Sequence, residues 1–297
     1  MNAPSRARRG NTPAVKDEWL SSLIVHFTVV VAVLALILPI AHIVVHGAPM
    51  LTPSFLLQGP AQGGRAGGIG PILVSTAMIV GISLAAALPI ALGTAILLSE
   101  FLRGSKVVVP IVKCSLDILA GVPSVVFGLF GLAFFCRWMG LGYSILAGGL
   151  TLGCMILPIL TRTFCSAIDQ ISGHYRTAAI ALGLNRTATV WHLTLPVAIR
   201  GLTAGLVLGL TRALAETAVL LFTSGYADRM PESVLDSGRS VSVHIYELAT
   251  NVPGGQHAAY GSAFVLLLLL ALISLAIHFT SDRLQAKLLG TSLSIGR

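Results

Sequence analysis

Arg212 and Glu216 stand four residues apart inside an otherwise apolar run, GLTAGLVLGLTRALAETAVLLF, from Gly201 to Phe222. On a helix that spacing puts both side chains on one face, where they can pair. A charge in hydrocarbon costs at least about 2.5–3.5 kcal/mol on insertion scales, so such residues by default mark a pathway or a water-filled cavity. The planar guanidinium fork donates in parallel and suits a tetrahedral oxyanion. Glu216 would hold and neutralise Arg212 while no anion is bound, and could help to bind a dianion only when protonated. A structural ion pair that fixes helix register is the competing reading.

The elements around the pair must bring it into a protein interior. Gly201, Gly205 and Gly209 recur every four residues, and Ala213 and Thr217 extend the row. Small residues at that spacing let another helix approach closely, so this face is expected to pack against protein. Upstream lies a polar stretch, HYRTAAIALGLNRTATVWHLTLPVAIR, from His174 to Arg200. It reads as a helical hairpin. Thr177 to Gly183 forms a helix ended by a glycine C-cap, and Asn185-Arg186-Thr187 restarts the chain. A second short helix then carries Trp191 and is stopped by Pro196. Such a hairpin either caps a bundle or docks a partner.

The chain has 297 residues, 55% hydrophobic and 10% charged, with a mean hydropathy of +0.88. Soluble domains carry about 25% charged residues, so this composition belongs to a membrane protein. Apolar runs of the roughly 20 residues needed to cross a bilayer are expected near 20–45, 71–98, 116–135, 143–160, 201–223 and 259–280. Six spans make an all-α polytopic protein. Residues 1–19 form a basic tail, 20–281 a membrane domain with a loop at about 161–200, and 282–297 a C-terminal tail. The run at 20–45 is too long for a signal-peptide core and is read as a retained span. Pro123 and its neighbouring glycines should break the third span, as spans lining cavities tolerate. Residues 46–70 are Gly/Pro-rich with little structure expected, and 225–258 is an external segment with a short amphipathic helix in SVSVHIYELAT.

Of 19 Lys and Arg, only Arg65, Arg137, Arg229 and Arg239 fall on the side opposite the termini, with Arg212 inside the membrane. The positive-inside rule therefore places both termini and the 161–200 loop in the cytoplasm. Topology also accounts for the net charge of +8, which leaves no nucleic-acid partner to invoke. Cys114, Cys136, Cys154 and Cys165 show no disulfide or zinc spacing and read as packing residues. No GxxxxGK[ST] loop and no HExxH motif occurs, so neither ATP hydrolysis by this chain nor an intramembrane metallohydrolase is expected. The eight histidines sit mostly near span ends or in loops, where a solvated or interfacial role is expected. A passive scaffold remains as a third class, but it has no need of Arg212 and Glu216.

The hairpin resembles the cytoplasmic motif of permease subunits of binding-protein-dependent ABC importers. That motif reads Glu-Ala-Ala, three residues, Gly, nine residues, then Ile-x-Leu-Pro. Ala178-Ala179, Gly183 and Leu193-Thr194-Leu195-Pro196 stand at those spacings, with Thr177 in place of Glu and Leu193 in place of Ile. GGIGPILVSTAMIV from Gly67, LAGVPSVVFGLFGLAFF from Leu119 and RALAETAVLLFTSG from Arg212 are similar to the phosphate-specific, PstA-type branch, with Ala215 where the branch has Gly.

The resemblance implies the MetI-like permease fold and a multi-pass place in the bacterial inner membrane. Tyr175 to Arg186 would be a coupling helix for ATPase subunits, with Tyr175, Thr177, Ala178, Ala179, Gly183, Leu184 and Pro196 as its motif residues. It further implies two ATPase copies that bind ATP and Mg, a PstC-type second permease, an external phosphate-binding protein, and contact with membrane lipid. The expected substrate is phosphate, moved past Arg212 and Glu216; phosphonate or phosphite is the alternative. No cofactor or metal of the chain's own is expected.

Overall fold

The structure, a computed structural model, describes residues 15–171, 175, 177, 179 and 181–289. It divides into two units, one ending at Val45 and the other beginning at His46. In the first, helix α1 (Val15–Gly47) is apolar on every face, as a span in contact with lipid requires. Thr28 turns back on its own backbone, with Oγ1 donating to the Ile24 carbonyl at 2.8 Å.

The second unit holds the remaining spans. After α2 (Pro53–Leu57), strands β1 (Pro60–Ala61) and β2 (Ala66–Gly67) pair antiparallel. The segment thought to be unstructured is thus a small folded cap. Helix α3 (Gly70–Ile96) runs on through a π turn at Leu97–Phe101. Helices α4 (Val108–Ala120) and α5 (Ser124–Gly131, continuing to Trp138) form a pair bent by 93°. Among the described residues, five helices are long and apolar enough to span a membrane, and the bent pair makes a sixth if it counts as one span.

The break at Pro123 agrees with the expected one, but the first limb starts earlier, at Val108. Its polar residues are paired rather than free: Lys113 Nζ donates to Asp169 at 3.0 Å, and Asp117 meets Arg162. Both partners lie on α6 (Ile145–Asp169). The expected loop from about residue 161 is therefore shorter, because α6 continues to Asp169. Its hydroxyls do not end the helix: Thr161 and Thr163 donate to the Leu157 and Ile159 carbonyls at 2.8 Å each.

Helix α6 is the centre of the bundle, with Ile145, Leu152, Ile156, Leu160 and Ile168 fully buried. It meets α3 through glycines; a Cβ on Gly149 would stand 2.7 Å from Ile82. Close backbone approach of this kind replaces the hydrophobic drive that lipid cannot supply.

In the second half of the hairpin, α7 (Arg186–Thr189) leads through a π turn at Val190–Thr194 into α8 (Leu195–Ala215). Pro196 does not stop the chain, contrary to expectation. The wider π turn before it shifts the hydrogen-bond register, and Pro196 takes a first-turn position where no N–H is needed. The result is one helical stretch from Arg186 to Ala215, 30 residues long. A short helix α9 (Ala218–Leu221), a helix α10 (Val241–Thr250) and a last span α11 (Gln256–Leu289) complete the fold.

Candidate functional site

The glycine row of α8 packs as its spacing predicts. Gly201 faces Ala167, Gly205 faces Thr163 and Phe164, and Gly209 faces Leu160, all on α6. Ala213 continues the row and is buried. This seam fixes the rotation of α8 and so the direction of Arg212, one residue off the row.

Arg212 and Glu216 are brought together, at 3.2 Å between Nη2 and Oε2. Their surroundings differ sharply: the Arg212 side chain is 48% exposed and Glu216 only 5%. The continuous helix expected through residue 223 is not formed. Glu216 is extended, with ψ of 127°, and α8 ends at Ala215. Glu216 Oε1 is also 3.5 Å from the Val219 N–H of α9, at the far limit of a hydrogen bond. The carboxylate thus lies between the last turn of one helix and the start of the next.

Residues that the sequence did not single out hold this break. Ser242 Oγ donates to the Glu216 carbonyl at 2.5 Å, and Ser240 Oγ lies 2.9 Å from Ser242 Oγ. The Val241 N–H donates to Thr76 Oγ1 at 2.9 Å, and Thr76 in turn donates to the Ile72 carbonyl at 2.7 Å. All four side chains, Thr76, Glu216, Ser240 and Ser242, are buried. Their only signal in the sequence was hydroxyls within apolar context, which does not reveal a partner 26 or 165 residues away.

The segment 225–258, expected to be external, is more ordered than a solvated loop. Arg239 donates from Nε to the Tyr226 carbonyl at 3.1 Å and from Nη1 to His244 Nδ1 at 3.3 Å. His244 is buried, unlike the interfacial role expected of the histidines. Burial, and then the Arg239 charge, push its pKa down from 6.5 to about 4, so it stays neutral and accepts. The Asp236 and Val234 carbonyls accept from the Ile145 and Leu146 N–H groups, covering donors that the start of α6 would leave unpaired. The Asp236 carboxylate accepts from the Glu232 and Ser233 N–H groups, which hold its pKa below the usual range.

On the hairpin, Tyr175, Thr177 and Ala179 are helical, and Ala178 lies outside the described residues. Gly183 has φ of +73°, and the Leu184 N–H reaches back to the Ala179 carbonyl at 3.0 Å, the glycine C-cap expected. Asn185 Oδ1 accepts from the Ala188 N–H at 2.7 Å and starts α7. Ala179 is fully buried and packs the hairpin, whereas Tyr175, Thr177, Leu182, Leu184 and Trp191 are exposed. Pro196 is half-buried at the root of α8 and not at the hairpin tip. Two contacts tie the hairpin to the end of α3: Arg186 to the Phe101 carbonyl at 3.3 Å, and Thr194 to Glu100 at 3.1 Å. Among the described residues, no three His, Cys, Asp or Glu side chains are placed to hold a metal. Cys136 and Cys165 are buried as packing residues, while Cys114 is exposed on α4.

Residues 87–289 match the family described as "Binding-protein-dependent transport system inner membrane component". The chain is 30% identical over 291 residues to the phosphate transport system permease protein PstA 2 of Mycobacterium bovis, covering 95% of this chain and 94% of that one. It is 28% identical over 263 residues to the probable ABC transporter permease protein YqgI of Bacillus subtilis, covering 84% and 89%. Among solved structures, a bacterial ABC transporter for alginate import superposes with a TM-score of 0.62 at 15% identity, over 91% of this chain and 97% of that one. That likeness shows the fold. A polytopic helical bundle, a surface hairpin with its motif glycine, and a family match over most of the chain agree: it is a PstA-type ABC importer permease, a member of the binding-protein-dependent transport system inner membrane components.

Proposed function

We infer that this permease subunit carries inorganic phosphate inward across the bacterial cytoplasmic membrane, with Arg212 as the anion-binding group of the pathway. One observation carries the reading. A half-exposed guanidinium sits inside a span, paired with a buried carboxylate at a helix break. In a membrane that exposure must open onto water or a partner protein, since lipid would not solvate it. Glu216 balances the charge while the site is empty, and an incoming phosphate would take its place on the guanidinium. The PstA name carried by relatives at 30% identity supports the choice of substrate.

The permease works within a larger assembly. Partner ATPase subunits bind ATP and Mg and dock on the hairpin, whose exposed Tyr175, Thr177, Leu182, Leu184 and Trp191 offer an apolar contact. A PstC-type permease completes the pathway, and an external binding protein delivers phosphate. Both termini lie in the cytoplasm. Closure of the ATPase pair displaces the hairpin and switches the open side of the cavity.

The test is ATP-dependent uptake of labelled phosphate into vesicles holding the whole complex. Phosphate should outcompete phosphonate and phosphite, and Arg212→Ala should abolish uptake. Strong uptake of another oxyanion discards the phosphate assignment, and full uptake by Arg212→Ala discards the pathway assignment.

A further inference from the structure

Where α8 breaks, its backbone needs a partner that the helix no longer supplies. The last carbonyls of a helix have no intrahelical donor, and burial denies them water. At Glu216 the donor comes from Ser242, 26 residues on, at 2.5 Å. Ser242 does nothing comparable for its own helix, because Ser240 already caps α10 by accepting from the Val243 N–H at 3.2 Å. A serine hydroxyl has one hydrogen, and that of Ser242 goes to Glu216. Ser240 must therefore donate to Ser242 across their 2.9 Å contact. The direction of the chain is Ser240 to Ser242 to the Glu216 carbonyl. The start of α10 is in turn fixed to α3 through Val241 and Thr76.

We propose that Ser242 is a positioning residue for the Arg212–Glu216 pair, and that the external helix α10 acts on the substrate site through it. Fixing the Glu216 carbonyl sets where its side chain starts, and so keeps Oε2 within 3.2 Å of Arg212. The carboxylate then orients the guanidinium fork before substrate arrives. Anything that moves α10 from outside moves that orientation. The proposal rests on the pathway reading of Arg212.

The test is phosphate uptake by the full complex in vesicles, with Ser242→Ala, Glu216→Gln and the double variant. Ser242→Ala should raise the phosphate KM about three- to tenfold, the range for one lost hydrogen bond, and leave the maximal rate within about twofold. With Glu216→Gln there is no carboxylate to orient, so adding Ser242→Ala should change KM by less than about twofold. Hydrogen exchange covers the case in which Glu216→Gln transports nothing. Amides of residues 215–221 should exchange at least about threefold faster in Ser242→Ala, and not in Ser262→Ala, which loses another buried hydroxyl. Independent losses in the double variant, or unchanged exchange at the break, overturn the proposal. Full uptake by Arg212→Ala sinks the pathway reading instead, and the exchange result still reports whether Ser242 holds the break.

Discussion

Arg212 and Glu216 are joined across the end of a helix. The guanidinium belongs to the last turn of α8, and the carboxylate 3.2 Å away belongs to the first residue outside it. A cation in the last turn is favoured by the helix dipole, so α8 itself is a favourable place for the guanidinium. The two groups can also move apart without bending a helix, since the backbone between them already changes conformation.

Arg212→Lys separates charge from geometry. Lysine keeps the cation and loses the two-pronged fork, so uptake should fall about tenfold rather than vanish. Arg212→Ala should lower it by about a hundredfold or more, as expected when a charge-assisted contact goes. Initial rates in vesicles, corrected for complex content, check both.

The glycine seam gives a stability prediction. A Cβ on Gly205 would lie 2.9 Å from Thr163 and 3.0 Å from Phe164. Gly205→Leu should therefore destabilise the complex by about 1–3 kcal/mol through overpacking. Gly81 on α3 has nothing within 4 Å of the same position, so Gly81→Ala should be neutral or gain about 0.5–1 kcal/mol. Thermal unfolding in detergent compares the two.

The hairpin can be tested without touching the spans. Leu182 is 78% exposed and Leu184 37%, flanking the Gly183 turn. Leu182→Glu should prevent co-purification of the ATPase subunits while the permease still inserts and binds its membrane partner. Asn185→Ala removes a helix cap worth about 0.5–2 kcal/mol and should weaken, not abolish, that association.

The buried His244 predicts acid sensitivity. His244 is held neutral, its pKa lowered from 6.5 to about 4. Below 6.5 the unfolded chain takes up a proton that the folded chain refuses, so stability falls as pH falls. The contribution is complete above about pH 6.5 and is lost towards pH 4, about 3 kcal/mol in all. Melting temperatures of the complex between pH 7.5 and 5 should decline, and His244→Asn should flatten most of that slope.

Much of this was legible from residue order because membrane folding obeys few rules. Apolar length located the spans, Pro123 marked the bend, and the Gly201–Gly209 spacing announced the α6 seam. Gly183 and Asn185 declared their caps, since both act within a few residues. The misses share one cause. ALAETAVLL reads as continuous helix, and its break depends on a hydroxyl supplied by Ser242 from another element. Pro196 reads as a stop because a π turn has no sequence mark. Lys113 and Asp117 do not name their partners, Asp169 and Arg162, which only the packing of α6 supplies. His244 reads as solvated until the segment 225–258 folds around it.

The helical run from Arg186 through the π turn to Ala215 has a mechanical consequence. Thirty helical residues make a stiff beam about 45 Å long. The glycine contact with α6, centred on Gly205, is its natural fulcrum, about 29 Å from Arg186 and about 15 Å from Ala215. A push at the Arg186 end therefore reaches Arg212, about 10 Å beyond the fulcrum, reversed in direction, with about a third of the travel and about three times the force. A helix so levered trades a longer stroke at the Arg186 end for greater force where Arg212 meets Glu216.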